Sequence, residues 1–149
     1  MSLKQTIQSD MKDAMRAKDK ERVSTLRMLI ASIQKREIDE RVESLDDAAV
    51  LAAIEKQVKQ HKDSAKQYAD NGRDDRAAAE LSEASILQTY LPEPLSDEEL
   101  DALLEEVVSA TGAEGMKDMG KVMAAMKEKA QGRADMGALS GKVKARLAG

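Results

Sequence analysis

The sequence offers few side chains that could perform chemistry, and its single histidine, His61, is the first to consider. An imidazole near neutral pH can serve as a general base or as a metal ligand. The chain has no second histidine and no cysteine to complete such a site. It also has neither a phosphate-binding glycine loop nor a Ser-Lys amidase signature. We therefore interpret His61 as a half-buried side chain held by one polar partner, and we predict no catalytic residue, no metal site and no cofactor.

Two other groups of residues have both a functional and a structural explanation. Four acidic residues between positions 97 and 101 could bind a metal ion, but they fall in the first turn of a predicted helix. Negative charge is stabilised there by the helix dipole. The stripe Met119, Met123 and Met126 could form a groove for a partner, although residues at this spacing more often pack in a core. We interpret both groups as structural.

Basic residues near the C terminus form the most informative pattern. From position 115 to the end there are eight Lys or Arg and three acidic residues, a net charge of +5 in a chain whose total is −4. Residues four apart on a helix share one face. Two basic pairs have this spacing, Lys117 with Lys121 and Lys142 with Arg146. The surface could hold a phosphate backbone, or it could simply be solvated. The candidate phosphate-binding residues are Lys117, Lys121, Arg133, Lys142 and Arg146.

The composition favours an all-α fold. Of the 149 residues, 42% are hydrophobic, yet the chain has no Phe or Trp and only two Tyr. Its core must therefore be built from Leu, Ile, Val, Met and Ala. A β-sandwich or barrel would normally use more aromatic and β-branched residues.

The composition also indicates the cellular location that we expect for the protein. Without cysteine there can be no disulfide and no thiolate metal site. The longest apolar run, residues 48–54, is far too short to span a bilayer. We expect a soluble cytoplasmic protein that does not enter a membrane, and the sequence does not indicate its oligomeric state.

Hydrophobic spacing predicts four helices in the first 92 residues. The first begins with a capping box formed by Ser2 and Gln5, and the second covers residues 19–41. The third is capped by Ser44 and ends at residues 71–72, and the fourth covers residues 74–90. Their predicted apolar faces are Leu3, Ile7, Met11 and Met15; Val23, Leu26, Ile30 and Ile33; Leu51, Ile54, Val58, His61, Ala65 and Tyr68; and Leu81, Ala84 and Leu87.

The stretch YLPEPLSDEEL, residues 90–100, predicts a boundary between two domains. Pro92 and Pro94 end the fourth helix because proline lacks an amide donor and restricts the residue before it. Ser96 and Glu99 then have the spacing of a capping box that starts a new helix. We predict a four-helix domain over residues 1–92 and a three-helix domain over residues 96–149.

The C-terminal domain holds seven of the eight glycines. The fifth helix should end near Gly112, and the repeated Asp-Met-Gly at 118–120 and 135–137 predicts helices capped by Asp118 and Asp135. The sixth helix should end near Gly132. We expect three further glycines to allow close contact between neighbouring helices: Gly120, Gly137 and Gly141.

Four segments of this chain resemble successive signatures of the YqeY-like family. In chain order they are TLRMLIASIQKREID at 25–39, YLPEPLSDEEL at 90–100, DMGKVMAAM at 118–126 and GRADMGALSGKVKARL at 132–147. The resemblance implies an N-terminal four-helix domain joined to a C-terminal three-helix domain. One departure is ALSG at 138–141, where the family pattern leads us to expect Asn or a longer side chain near the last position.

The C-terminal domain also resembles the tail of the B subunit of the tRNA-dependent amidotransferase. In that enzyme the tail helps to hold tRNA, and a related domain is attached to some glutaminyl-tRNA synthetases. The resemblance implies a family label of carbon-nitrogen ligase activity with glutamine as the amide nitrogen donor. Because the catalytic groups are missing here, we expect no catalysis by this chain alone.

The sequence therefore leads to one preferred function and two alternatives. The preferred function is a non-catalytic accessory protein that binds tRNA, or a tRNA-carrying enzyme, through phosphate contacts. The first alternative is a helical adaptor that binds a partner protein. The second is a non-catalytic subunit of an amidotransferase complex.

Overall fold

A computed structural model describes the whole chain, residues 1–149. The all-α prediction is confirmed, since the chain forms seven α-helices, one short 3-10 helix and no strand. No helix combines the length and the apolar character that crossing a membrane would require. The elements are α1 Leu3–Arg16, α2 Lys20–Glu40, α3 Asp47–Asp70, α4 Asp74–Gln88, α5 Asp97–Thr111, the 3-10 helix Met116–Asp118, α6 Met119–Lys129 and α7 Met136–Ala148.

The Cα positions divide the chain into two compact units, Met1–Leu91 and Pro92–Gly149. Helices α1 to α4 lie in the first unit, and the remaining elements lie in the second. No helix covers residues 89–96. The predicted interruption at Pro92 and Pro94 is therefore confirmed.

Two predicted capping boxes are present. The Ser2 hydroxyl accepts from the Gln5 amide at 3.2 Å, and the Gln5 side chain accepts from the Ser2 amide at 3.0 Å. Ser96 and Glu99 form the same reciprocal pair at the start of α5. The Ser96 amide, which donates to the Glu99 carboxylate, is the main cause that lowers the pKa of Glu99. At the other end of α5, Gly112 adopts a φ of 66°, the left-handed conformation that glycine tolerates best.

Two other caps differ from the prediction. Ser44 does not cap α3, because the Asp46 side chain accepts from the Ala49 amide at 2.8 Å. The Asp118 side chain does not cap α6. Its carboxylate instead accepts from the Glu114 amide at 2.9 Å. The 3-10 helix runs directly into α6, so that the first amide of α6 already bonds to the Met116 carbonyl.

The N-terminal core is a cluster of aliphatic side chains from all four helices. The predicted apolar faces are largely correct, but Met15 and Leu81 are wrong, since these side chains are 51% and 50% exposed. The buried position near the end of α1 is Ala14. On α4, Leu81 points outward, whereas Glu80 beside it is half-buried and contacts α3. The central residues are Ile7, Leu26, Leu29, Ile33, Val50, Ile54 and Leu87.

A buried carboxylate, which the sequence did not indicate, joins three segments of this unit. Glu37 on α2 is only 7% exposed. Its two oxygens accept from Lys4 Nζ at 2.9 and 2.8 Å, and one of them also accepts from the Leu45 amide at 2.9 Å. The hydrogen bond from Lys4 is the main cause that lowers the pKa of Glu37, followed by the bond from Leu45. The interaction fixes α1 and the segment before α3 against α2.

The C-terminal core is a second aliphatic cluster, formed by α5, α6 and α7. Its central residues are Leu104, Val107, Val122, Met126, Leu139 and Val143. Met126 is fully buried, and Met119 and Met123 pack against the same cluster. The interpretation of the methionine stripe as core is confirmed.

We predict that the two units fold independently. Residues 1–91 and 92–149, produced separately, should each show helical circular dichroism and a cooperative thermal transition, because each has its own apolar core. The transitions of the fragments should also appear in the full chain. A fragment that remains unfolded alone, while the full chain melts in one step, would contradict the prediction.

We predict that Glu37 stabilises the protein more at neutral than at acid pH. Its folded pKa lies below the ordinary value of 4.5, so its contribution is present above that value and is lost as the pH falls through the folded pKa. Glu37→Gln should lower Tm at pH 7 by several degrees, and the difference from the parent should narrow in acid. The matched control is Glu40→Gln, which alters an exposed ion pair with Arg36 on the same helix and should change Tm little. Equal effects of the two substitutions would contradict the prediction.

Candidate functional site

The structure places Lys117 and Lys121 together at the start of the α6 region. Lys117 lies in the 3-10 helix and Lys121 in the first turn of α6, and both are exposed. Neither forms an ion pair. Asp118 lies between them in the chain, and its carboxylate accepts a hydrogen bond from the Glu114 amide. This bond is the main cause that lowers the pKa of Asp118, and the charges of the two lysines lower it further. Both lysines therefore have ammonium groups available for a ligand.

Lys142 and Arg146, the second predicted pair, are engaged by acidic residues of α5. Lys142 Nζ lies 2.9 Å from an Asp101 oxygen and 3.7 Å from one of Asp97. Arg146 donates from Nε and Nη2 to the two oxygens of Glu105, at 2.5 and 3.2 Å. The bond to Asp101 raises the pKa of Lys142, and the bond from Arg146 lowers the pKa of Glu105. These two cations thus form ion pairs with a row of three carboxylates on the neighbouring helix.

Arg133 connects the turn after α6 to the residues before α5. Its Nε donates to the Glu93 carbonyl at 2.9 Å, and its own carbonyl accepts from the Leu95 amide at 2.8 Å. These bonds hold residues 93–95 against the C-terminal unit. A guanidinium has five N–H donors, so Arg133 keeps several after this contact.

Lys144 is a further exposed cation that the sequence argument did not select. It lies on α7 between the buried residues Val143 and Leu147, and no acidic group pairs with it. Because Lys144 follows the buried residue Val143, the sequence could have indicated that it points to solvent. Lys142 also adjoins Val143, however, so the sequence alone did not show which of the two lysines is unpaired. The exposed cations of this unit without an ion pair are Lys117, Lys121, Lys127 and Lys144.

The glycines of α6 and α7 do not serve the packing role that we predicted. A Cβ atom added at Gly120 or Gly141 would meet no other atom within 4 Å, and both residues are exposed. At Gly137 the added atom would lie 3.2 Å from a carboxylate oxygen of Asp135, the residue whose side chain caps α7 as predicted. No neighbouring helix within the unit therefore requires glycine at 120 or 141.

Both exposed glycines have an unpaired lysine three positions away, Lys117 for Gly120 and Lys144 for Gly141. Residues three apart lie on the same side of a helix, in both α and 3-10 geometry. Each lysine thus adjoins a patch of helix backbone at which the glycine itself has no side chain. Such a patch allows a bulky ligand to approach the helix closely.

His61 has the polar environment that we predicted, with a second carboxylate in addition. Its Nδ1 lies 2.6 Å from Glu80 Oε2 and 3.3 Å from Glu83 Oε2. The side chains of the three residues are 11%, 25% and 30% exposed. Burial is the main cause that raises the pKa of Glu83, and the charges of Glu80 and Glu21 raise it further, while His61 opposes them. The sequence argument missed both carboxylates because they belong to α4.

Fold and surface together define an all-α protein of two helical units, the second of which carries exposed lysines beside bare helix glycines. The profile of the YqeY-like proteins matches residues 4–147. The chain belongs to this family.

Curated relatives are found in yeasts and related fungi. The chain is 31% identical over 119 residues to altered inheritance of mitochondria protein 41 of Vanderwaltozyma polyspora, covering 76% of this chain and 64% of the relative. It is 39% identical over 113 residues to the protein of that name from Eremothecium gossypii, covering 72% and 62%. The chain thus spans slightly less than two thirds of the length of these relatives.

The relatives are named as mitochondrial proteins, which contradicts the cytoplasmic location that we expected. That expectation was wrong because it rested on the lack of cysteine and of a long apolar segment. Neither feature distinguishes cytoplasm from a mitochondrial compartment.

We predict that Gly141→Ala stabilises the protein. Gly141 lies in the interior of α7 and an added methyl group would meet open space, so the substitution should raise the free energy of unfolding by about 0.5–1 kcal/mol. Gly137→Ala is the matched control, because its Cβ would crowd the Asp135 cap, and it should give less stabilisation or none. Urea denaturation measures both. A destabilised Gly141→Ala protein would show that the space beside Gly141 is not open.

Proposed function

We propose that the chain is a non-catalytic accessory protein whose C-terminal unit binds tRNA, or a tRNA held by an enzyme, through the phosphate backbone. The observation that carries this proposal is the pairing of unpaired lysines with bare helix glycines on α7 and at the start of α6. An exposed glycine in a helix interior costs about 0.5–1 kcal/mol relative to alanine. A surface that keeps such residues next to free cations suits close approach of a bulky anionic ligand.

The positions of the charges suggest a revised set of contacts. Lys117, Lys121 and Lys144 are free to bind phosphate without breaking an existing ion pair. Lys142 and Arg146 would have to exchange a carboxylate for a phosphate, which reduces their net gain. Arg133 can contribute the donors that Glu93 does not use. Contacts of this type fix the position of a nucleic acid but do not read its sequence.

The proposal assigns binding to the chain and no bond-making step. The amidotransferase relationship that the family resemblance implies is then one of shared tRNA recognition. Activation of a carboxylate and transfer of ammonia would belong to other subunits. The division into a four-helix and a three-helix domain belongs to the same proposal, with the C-terminal domain supplying the tRNA contacts.

The N-terminal unit favours a second candidate function, that of a protein-binding adaptor. Apart from the terminal Met1, four large apolar side chains of this unit are at least half exposed: Met15, Met28, Ile38 and Leu81. Ile38, the most exposed of them, is 76% accessible. Such residues lose unfavourable contact with water when a partner covers them. An adaptor of this kind would not require phosphate contacts.

Salt dependence of tRNA binding tests the proposal. Lys117→Ala, Lys121→Ala and Lys144→Ala combined should weaken binding of bulk tRNA and flatten the slope of log affinity against log salt by about 2, because three phosphate contacts are lost. The double variant Lys142→Ala, Arg146→Ala should have a smaller effect. Electrophoretic mobility at several salt concentrations measures both.

The matched control removes the same charge from the N-terminal unit, by Lys35→Ala, Lys56→Ala and Lys59→Ala, three exposed lysines without ion pairs. It should leave the slope nearly unchanged. Gly120→Ala with Gly141→Ala should weaken tRNA binding without loss of stability. If the triple C-terminal variant binds tRNA with the parental slope, the basic surface is only solvated and the adaptor function takes its place.

A further inference from the structure

A second group of candidate ligand side chains lies in the N-terminal unit. It consists of His61 on α3 and of Glu80 and Glu83 on α4, one helical turn apart on the same face. One ligand atom from each residue lies within 4.8 Å of the other two. The two helices therefore bring one imidazole nitrogen and two carboxylate oxygens to a single point.

The charges of this group are not balanced by the protein. No Lys or Arg forms an ion pair with Glu80 or Glu83, and their only ionic partner is His61. Glu21 adds a third carboxylate nearby, where its oxygen accepts a hydrogen bond from the Ser82 hydroxyl. Partly buried carboxylates that outnumber their cationic partners are unfavourable. A divalent ion would remove this excess of negative charge.

We infer that His61, Glu80 and Glu83 form a binding site for a divalent first-row transition metal ion such as Zn²⁺. One imidazole and two carboxylates match the preferences of Zn²⁺ and its neighbours, whereas Mg²⁺ and Ca²⁺ prefer oxygen ligands alone. Three protein ligands leave one tetrahedral position for water. This inference is independent of the proposed tRNA binding.

The observed distances are compatible with such an ion after a small adjustment. Two ligand atoms at about 2.1 Å from a tetrahedral ion lie roughly 3.4 Å apart. The separation of 3.3 Å between His61 Nδ1 and Glu83 already has this value. The 2.6 Å separation from Glu80 must open by somewhat less than 1 Å, which a rotation of the glutamate side chain can supply.

A metal ion at this point would join α3 and α4. The two helices already pack against each other and are joined by the short turn at residues 71–73, and the site lies well along each helix from that turn. Because the complete ligand set exists only in the folded protein, the ion would bind folded chains preferentially and would raise Tm. The site would therefore stabilise the helix pair.

The unique histidine makes this inference simple to test in the full chain. After treatment with EDTA, Zn²⁺ should raise Tm and bind with one ion per chain in calorimetric titration, and Mg²⁺ should have little effect. His61→Gln should lower the Zn²⁺ affinity at least about tenfold. Glu80→Gln and Glu83→Gln should each weaken it too. The matched control Asp63→Asn, Asp70→Asn removes two exposed acidic residues of α3 and should bind Zn²⁺ as the parent does.

A second measurement separates loss of the site from loss of the fold. Circular dichroism of each variant without metal should match the parent, and the imidazole ¹⁵N resonances of the parent should shift on addition of one equivalent of Zn²⁺. Unchanged imidazole resonances, or equal Zn²⁺ affinity of the parent and His61→Gln proteins, would overturn the inference. An equal Tm rise with Mg²⁺ would also overturn it, since that result indicates a general effect of cations on an acidic surface.

Discussion

Both units depend on cores built without Phe or Trp. Aliphatic side chains and alanine fill less volume than aromatic rings, so that neighbouring helices must pack closely to exclude water. On α3 and α4 the small side chain of alanine allows this close packing, and the buried alanines there are Ala53, Ala65, Ala77 and Ala84. Close packing leaves little room for an unpaired polar group. A polar group that points inward therefore needs a partner within the unit, and the buried Thr25 hydroxyl is one that has none.

Glu37 and His61 show how the N-terminal unit meets this requirement. The Glu37 carboxylate accepts hydrogen bonds from Lys4 Nζ and from the Leu45 amide, so that its buried charge is neutralised by Lys4. His61 faces two carboxylates and is not matched by a further cation. The first arrangement is complete within the protein. The second has excess negative charge, and this difference is the physical basis for inferring an external ion there.

Some cationic side chains of the C-terminal unit form ion pairs within the unit, and others are exposed without an ion pair. Acidic residues of α5 at positions 97, 101 and 105 follow one another at helical spacing, and they pair with Lys142 and Arg146 of α7. Exposed pairs of this kind add little stability, but they decide which positive charges remain free. The net charge of the segment therefore overstates the charge that it can offer to a ligand. What remains is concentrated at Lys117, Lys121, Lys127 and Lys144.

The sequence by itself determined the helices, most of their ends and the interruption near Pro92. These features follow from local rules, since a cap, a proline or an apolar period acts within one or two turns. Ser96 with Glu99 is an example, because both partners of the capping box lie within four residues. The predicted cap by Ser44 was wrong because a competing acceptor, Asp46, lies two residues away.

Only the tertiary structure decided which charges are free and which polar groups meet. Lys142 and Asp101 are 41 positions apart, and the partners of His61 lie on the next helix. No local pattern specifies which rotation of two packed helices places a given side chain opposite another. The same limit explains the glycines: we predicted that Gly120 and Gly141 allow neighbouring helices to come into close contact, but the packing of the three helices leaves both residues facing open space.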